Sequence, residues 1–316
     1  MASISKVDSG DSSQLPIIDI VIPYYNSFEY LKNSIASVLD QSFTNFRLII
    51  VDDGTGNPKT QEFLLKLNDS RVVYMKNLKN LGISRNFEKS RNLISAKWGM
   101  ILGHDDKLLP GYLDEVLKKA ENYPSAGVIQ PKVEVINCDG LQISTLIDTM
   151  KKTLRAITMV IARRRISNSL DTLVQPKLAL KMLLIGDFLY FPTIIWRNEH
   201  LQGHAFRTDL EVTMDIELLA NLFKSGSGLL LIQTRLAQYR RHDNSKSGNP
   251  KLKLSRLTEE KNLYQELSRT LECGIAVKVL AALHLSTRGY CLLESCRAIA
   301  RMKFGLSRKY LLLSLL

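Results

Sequence analysis

Four apolar runs separated by helical stretches constrain this chain more than any other feature. "IIDIVIP" (17–23), "FRLIIVDDG" (46–54), "RVVYM" (71–75) and "WGMILG" (98–103) have the length and content of buried strands. Between the first two, "SFEYLKNSIASVLDQ" carries Leu31, Ile35, Val38 and Leu39 at helical spacing, with Ser27 placed as an N-cap. Lys59 to Leu67 and Ile83 to Ala96 also suit helices, and after Pro110 "YLDEVLKKAENY" reads as a helix and "AGVIQPKVEVI" as a strand. Strands alternating with helices of about 10–14 residues specify an α/β fold, with a mostly parallel sheet covered by helices on both faces. Further on, 139–175 reads as an irregular insertion containing Arg163-Arg164-Arg165. "GDFLYFPTIIWR" is aromatic and apolar, and its Phe188, Tyr190 and Phe191 suit either core or the lining of a pocket. "VTMDIELLANLFKSG" is an amphipathic helix closed by Gly226, "GLLLIQT" and "RLAQYRRH" form a strand pair, and the chain is helical from Lys253.

In such sheets ligands sit beyond the carboxyl ends of the strands. Three strands end in chemistry there: Pro23-Tyr24-Tyr25-Asn26, Asp52-Asp53, and His104-Asp105-Asp106 in "ILGHDDKLLP". A dinucleotide loop is excluded. "VDDGTGNPK" has Lys59 where a third glycine should stand, and its two carboxylates would repel a pyrophosphate. Phosphate could bind through a cation held by carboxylates, which is how Mg²⁺ and Mn²⁺ are commonly held. Trp98 and Trp196 are expected in the core, and His104 to shape its loop.

Composition adds the distribution of charge. The chain has 316 residues, 45% apolar and 23% charged, and 43 Lys+Arg against 31 Asp+Glu. Residues 240–316 hold 15 basic and 6 acidic residues, a net of +9, leaving +3 for the rest. The start, "MASISKVDSGDSSQLP", has no apolar core of a signal peptide and reads as a disordered leader, 1–16. No window approaches the ~18 apolar residues of a membrane span. Cys138, Cys273, Cys291 and Cys296 lack zinc or disulfide spacing and read as reduced thiols, which places the chain in the cytoplasm.

"IDIVIPYYNSFEYLKNSIASVLDQSFTNFRLIIVDDG" resembles the opening of a family 2 glycosyltransferase. The resemblance continues through "NLGISRNFEKSRNLISAKWGMILGHDDKLLP", "FRTDLEVTMDIELLANLFKSG" and "YRRHDNSKS", and covers about residues 17–247. It implies the GT-A fold, a Rossmann-like nucleotide-diphospho-sugar transferase architecture, as unit 17–247. Its nucleotide-sugar half is 17–136 and its acceptor half 176–247, with a basic helical extension at 248–316. By the resemblance, Asp52 and Asp53 contact the nucleoside, and Pro23, Tyr24 and Asn26 line the same pocket. Asp105 and Asp106 hold a divalent metal, Mg²⁺ or Mn²⁺, at the donor's diphosphate. Asp215 is the general base, and Arg241 and His242 lie near the diphosphate. Two positions depart from the family pattern: Gly103 replaces the first Asp of an Asp-x-Asp-Asp motif, and Met214 replaces a Glu beside the base.

The implied reaction is inverting transfer of a sugar from a nucleotide-diphosphate donor to a glycan or lipid-linked acceptor hydroxyl, in envelope or polysaccharide synthesis. A nucleotidyltransferase, or a non-catalytic nucleotide-sugar binder at a membrane, are the alternatives. No nucleic-acid motif is present. The basic C-terminal quarter pairs Arg297, Arg301, Lys303, Arg308 and Lys309 with Leu311, Leu312, Leu313, Leu315 and Leu316. It is expected to lie peripherally on the inner face of an anionic membrane, with a purely solvated face as the alternative.

Overall fold

The computed structural model describes residues 15–163, 170–242, 253–270, 295–296 and 304–315. Nearly all of the expected leader lies outside these residues. So do Arg164, Arg165, the end of "YRRHDNSKS" from Asp243, Cys273, Cys291, Arg297, Arg301, Lys303 and Leu316.

The four apolar runs form β1 (Ile18–Tyr24), β2 (Phe46–Asp52), β3 (Val72–Lys76) and β4 (Trp98–Ile101). They are connected by α1 (Phe28–Leu39), α2 (Pro58–Leu67) and α3 (Ile83–Asn92). These strands pair in parallel in the order β3-β2-β1-β4, as helical connections require. Then come β5 (Lys107–Leu108), α4 (Tyr112–Glu121), β6 (Ala126–Ile136), α5 (Leu146–Arg163), β7 (Thr172–Val174) and α6 (Pro176–Ile185). A 3₁₀ turn (Phe191–Thr193), β8 (Ile195–Arg197), α7 (Asn198–Leu201), α8 (Met214–Lys224), β9 (Gly228–Arg240), α9 (Lys253–Thr270) and α10 (Phe304–Leu315) complete the described chain. The sheet continues β4-β8-β6-β9-β5, with β7 also on β9. The expected mostly parallel sheet is parallel through β4 and again between β6 and β9, while β8, β7 and β5 run antiparallel.

Strand alternation splits the core between the two faces. Ile18, Ile20, Ile22 and Tyr24 pack with Leu31 and Ile35 of α1 and Val116 of α4. Val21 and Ile101 face the opposite layer, with Leu183 of α6, Leu218 of α8 and Leu263 of α9. Asp19, on that second face, is fully buried. Both its oxygens accept from Arg47 at 2.9 Å and one accepts from the Ala96 amide at 2.8 Å, which ties the loop before β4 to the amino end of the sheet. The site lies at the other end.

Three expectations are corrected here. The insertion 139–175 is not irregular: it contains the 18-residue α5 and the strand β7. Its helix turns Asp148, Lys151 and Arg155 inward over its first turns and buries apolar Met159 and Ala162 only near its end, so the apolar inner stripe by which helices are recognised is interrupted. The expected strand pair is one continuous strand, because the polar Gln233-Thr234-Arg235 lies opposite a register shift in β6 rather than in a turn. Ser27 does precede α1, but at φ 65° it makes no side-chain cap; its carbonyl accepts from the Tyr30 and Leu31 amides.

Candidate functional site

The loop after β4 carries the paired carboxylates, and α1 and β9 hold it from two sides. From α1, the Ser34 hydroxyl donates to the Gly103 carbonyl (3.2 Å), Ser37 Oγ accepts from the Leu108 amide (3.2 Å), and Gln41 donates to the Leu109 carbonyl (3.0 Å). From the end of β9, the Arg240 amide donates to Asp106 Oδ1 (2.8 Å). The Arg240 guanidinium donates to the Asp105 carbonyl (3.0 Å) and to the carbonyls of Asn137 (2.7 Å) and Cys138 (3.1 Å). His242 Nε2 lies 2.8 Å from Asp105 Oδ2, its ring 5.2 Å from that of Tyr30. His104 is edge-on to Tyr24, at 6.0 Å.

The two carboxylates are electrostatically unlike. Burial favours the protonated form of Asp105, but its bond to His242 and the neighbouring imidazoles outweigh this and hold it below the usual range. Burial first, and then the charge on Asp105, push Asp106 well above the carboxylate range. Asp106 Oδ2 is buried with no hydrogen-bond partner, an uncommon state for a carboxylate oxygen. It points into the space over Gly103: a Cβ there would lie 2.2 Å from Asp106 Oδ2 and 3.1 Å from Asp105 Oδ1. The Asp106 carboxylate therefore occupies the volume that a side chain at 103 would need. Two carboxylate oxygens converging on a small space are a hard donor set that fits Mg²⁺ or Mn²⁺. Among the described residues no group of three or more His, Cys, Asp and Glu gathers to complete such a site, so a phosphate would have to supply the remaining ligands.

At the end of β2 the acidic pair is turned toward protein donors. Asp52, fully buried, accepts from the Thr55 amide (2.8 Å), Thr55 Oγ1 (3.0 Å) and the Tyr74 hydroxyl (2.7 Å). Asp53 accepts from Asn77 Nδ2 (2.8 Å) and the amides of Leu81 (2.8 Å) and Gly82 (3.1 Å), fixing the turn into α3. A nucleoside edge reaching either residue would share these acceptors. Pro23 is buried in β1, and Tyr24 is not a pocket wall: strand alternation carries it into the α1 layer, its hydroxyl 3.2 Å from Thr60 Oγ1. The exposed residues at this strand end are Tyr25 and Asn26. Asn26 and Ser27 both have positive φ, 63° and 65°, and strained backbone of this kind clusters at ligand sites.

Asp215 opens α8, where its Oδ1 accepts from the Ile216 amide (2.9 Å). Burial, and then the charge of Asp187, push its carboxyl up to about 7, against an opposing pull from Lys151. Lys151 Nζ donates to Asp187 and to the Leu189 carbonyl (2.6 Å). Arg241, expected at the diphosphate, forms a fork on fully buried Asp148, with contacts of 2.7, 3.0 and 3.1 Å. Asp148 also accepts from the Tyr190 hydroxyl at 2.9 Å. Asp148 and Lys151 are three apart on α5, so they are neighbours on one helix face. One turn of α5 thus joins the His242–Asp105 side to the Asp187–Asp215 side.

Several of these residues were not singled out from sequence: Ser34, Ser37, Gln41, Asp148, Lys151, Asp187, Arg240 and Glu259. A signal existed for the first three, which are polar at i, i+3 and i+7 along the buried side of α1 and its C-terminal continuation. Glu259 of α9 accepts from the amides of Glu211 (3.0 Å), Val212 (2.8 Å) and Thr213 (2.8 Å) and from the Thr213 hydroxyl (2.9 Å), clamping the segment that leads to Asp215. Phe188, Phe191, Trp98 and Trp196 are core residues, with the Phe191 and Trp196 rings 4.8 Å apart.

Comparison with known proteins is consistent with this arrangement. Residues 19–172 match the family model described as glycosyl transferase family 2. An uncharacterised glycosyltransferase of Methanocaldococcus jannaschii is 36% identical over 110 residues, 34% of this chain and 38% of the relative. One from Rickettsia prowazekii is 26% identical over 215 residues, 67% of this chain and 60% of the relative. The chain thus spans less than two thirds of the length of these curated relatives. The crystal structure of S. aureus TarS 1-349 in complex with UDP-GlcNAc superposes with a TM-score of 0.62, covering 86% of this chain and 72% of that one at 13% identity. At that identity the likeness is one of fold.

Proposed function

We propose that this chain, whose residues 19–172 match the glycosyl transferase family 2 model, transfers a sugar from a nucleotide-diphosphate donor to an acceptor hydroxyl with inversion. The observation that carries this reading is the Asp105–Asp106 loop at the carboxyl end of β4, held by His242 and by the Arg240 amide. In this reading the donor's diphosphate lies at Asp105 and Asp106, which hold Mg²⁺ or Mn²⁺; when bound, the ion neutralises charge growing on the leaving diphosphate. Asp105 is kept anionic by His242. Tyr25 and Asn26, with the turns fixed by Asp52 and Asp53, form the nucleoside side of the pocket. Arg241 acts by holding Asp148 and thus α5 in place, and His242 by orienting Asp105.

Asp215 is the base. With its carboxyl at about 7, it is matched to taking a proton from an acceptor hydroxyl near neutral pH as the anomeric carbon is attacked, a contribution of about 10²–10⁴-fold. Transfer then releases a nucleoside diphosphate and inverts the anomeric centre. The unit is 17–247, with its nucleotide half at 17–136 and its acceptor half at 176–247, and the helical extension from 248 braces the acceptor half through Glu259. Among the described residues no helix is long and apolar enough to cross a membrane. The role proposed is envelope polysaccharide or glycolipid synthesis from the cytoplasmic side, with peripheral contact to the membrane.

Thermal stabilisation by UDP, GDP, dTDP and CDP, each with Mn²⁺ or with chelator, tests this. A ligand at 100 times its Kd adds about 2.7 kcal/mol. One diphosphate is expected to give a metal-dependent shift that Asp105→Asn removes, and UDP is the first to try because the superposing TarS structure holds UDP-GlcNAc. No shift with any of them refutes the donor site. Release of inorganic pyrophosphate in place of a nucleoside diphosphate would identify a nucleotidyltransferase instead.

A further inference from the structure

We propose that the outer face of α5, together with α6 beside it, is a docking surface for an anionic membrane. The inner face of α5 serves the site through Asp148, Lys151 and Arg155, whose guanidinium donates to the Ile232 carbonyl at 2.8 Å. This arrangement inverts the usual pattern of a surface helix, which buries its apolar stripe. Met159 and Ala162 near the end of α5 are buried, but Leu146, Met150, Ile157, Val160 and Ile161 face outward and are between 40% and 55% exposed. At about 100° per residue these five fall within an arc of about 100°, so they form one continuous ridge along the helix rather than scattered apolar sites.

The surrounding charge chooses the partner. Residues 149–186 contain eight Lys or Arg against one acid, Asp171; Lys151 and Arg155 among them face the site rather than the ridge. Asp171 itself is paired with Lys119 at 2.8 Å. Lys152 on α5 is exposed, as are Lys177 and Lys181 on the neighbouring α6, and Leu170 beside β7 is 75% exposed. An apolar ridge in a strongly basic field matches the interface of an anionic bilayer, where apolar side chains enter the headgroup boundary and cations meet lipid phosphates. An ordinary protein partner would need to be both apolar and acidic over this area. Because Asp148 and Lys151 lie on the opposite face of the same helix, membrane contact through the ridge sets the site at the bilayer surface, where a lipid-linked acceptor resides. This deepens the proposed membrane-side role and rests on it only for the acceptor; vesicle binding reads the surface without catalysis.

The experiment is co-sedimentation of the full chain with phosphatidylcholine vesicles, with and without phosphatidylglycerol, at low and high salt. The expected result is binding that requires phosphatidylglycerol, weakens with salt, and falls at least about tenfold in Ile157→Glu/Val160→Glu. Both positions are exposed, so the variant should keep its far-ultraviolet spectrum and its shift with nucleotide diphosphate and Mn²⁺. A matching loss in Lys152→Glu/Lys177→Glu supports the electrostatic part. The proposal is overturned if no vesicle binds, or if binding survives the α5 variant and disappears only in Leu311→Glu/Leu312→Glu on α10. It is equally overturned if light scattering shows a wild-type dimer that Ile157→Glu/Val160→Glu converts to monomer, since a second copy would then cover the ridge. A chain that binds vesicles as expected but transfers no sugar would leave this surface standing and remove the catalytic reading.

Discussion

The strongest test of the site is a single added methyl group. In Gly103→Ala the new Cβ would lie 2.2 Å from Asp106 Oδ2 and 3.1 Å from both Asp106 Cγ and Asp105 Oδ1. An ordinary carbon–oxygen contact is about 1 Å longer than the first of these, so the Asp106 carboxylate must move by about that much. It has little freedom: the residue is 1% exposed and its other oxygen is fixed by the Arg240 amide at 2.8 Å. Overpacking of a tight interior costs about 1–3 kcal/mol, and losing the hydrogen bond about 0.5–1.5 kcal/mol. The combined loss of about 1.5–4.5 kcal/mol corresponds, for a chain of 316 residues, to a fall in Tm of roughly 2–7 °C. Moving the carboxylate also spoils the oxygen pair, so the stabilisation by nucleotide diphosphate and Mn²⁺ should vanish. Gly103→Asp, which adds a carboxylate beside Asp105 and Asp106, is expected to be at least as damaging as alanine. Differential scanning fluorimetry with and without ligand is sufficient. A Gly103→Ala protein that melts within about 1 °C of wild type and keeps its full ligand shift would refute this account of the loop.

The other expectations concern three further contacts. Asp215→Asn should lower kcat by about 10²–10⁴-fold with donor binding unchanged, and remove an activity limb that rises with pH through about 7; an unaltered pH profile would exclude Asp215 as the base. A carboxyl whose folded pKa is raised from 3.8 to about 7 stabilises the fold fully below pH 3.8 and loses that contribution as pH rises through 7. Asp215→Asn should therefore melt higher than wild type at pH 8, with the gap closing toward pH 4. Arg241→Met leaves a buried carboxylate on Asp148 and should cost about 3–5 kcal/mol in urea unfolding, partly recovered in Asp148→Asn/Arg241→Met; an unchanged stability with weakened donor binding would return Arg241 to the diphosphate. Glu259→Ala removes the acceptor of three amides and a hydroxyl and should lower turnover without changing nucleotide affinity, which calorimetry and initial rates together can check.

The parts of this fold that could be read in sequence are those whose signals are local. The runs that became β1 to β4 are apolar over the length of a strand, and the first, second and fourth end in or run straight into polar or charged residues, so both the sheet and its carboxyl end could be found. Which side chains face the mouth follows from strand alternation, and that turned Tyr24 inward while leaving Tyr25 and Asn26 outside. The roles of Arg241 and Asp148 could not be read, because they are 93 residues apart and each alone looks like a surface charge. The helix α5 escaped recognition because it interrupts the pattern by which helices are found. Its charge was equally concealed: a net of +3 outside the C-terminal quarter is the sum of a strongly basic 149–186 and an acidic remainder.

The order in which the chain is made bears on when it becomes competent. The Asp53–Asn77 contact closes over 24 residues, and the parallel unit from β1 to β4 can assemble from neighbouring segments. The bonds of Asp106 to Arg240 and of Asp105 to His242 span 134 and 137 residues. Such long-range closures come late in folding, and during synthesis the amino-terminal part folds first. A nascent chain that has emerged only as far as β6 therefore has strands but no working pair of carboxylates. In the proposed reading, no nucleotide-sugar is engaged, or hydrolysed wastefully, until β9 has docked beside β6 and brought the last turn of the site with it.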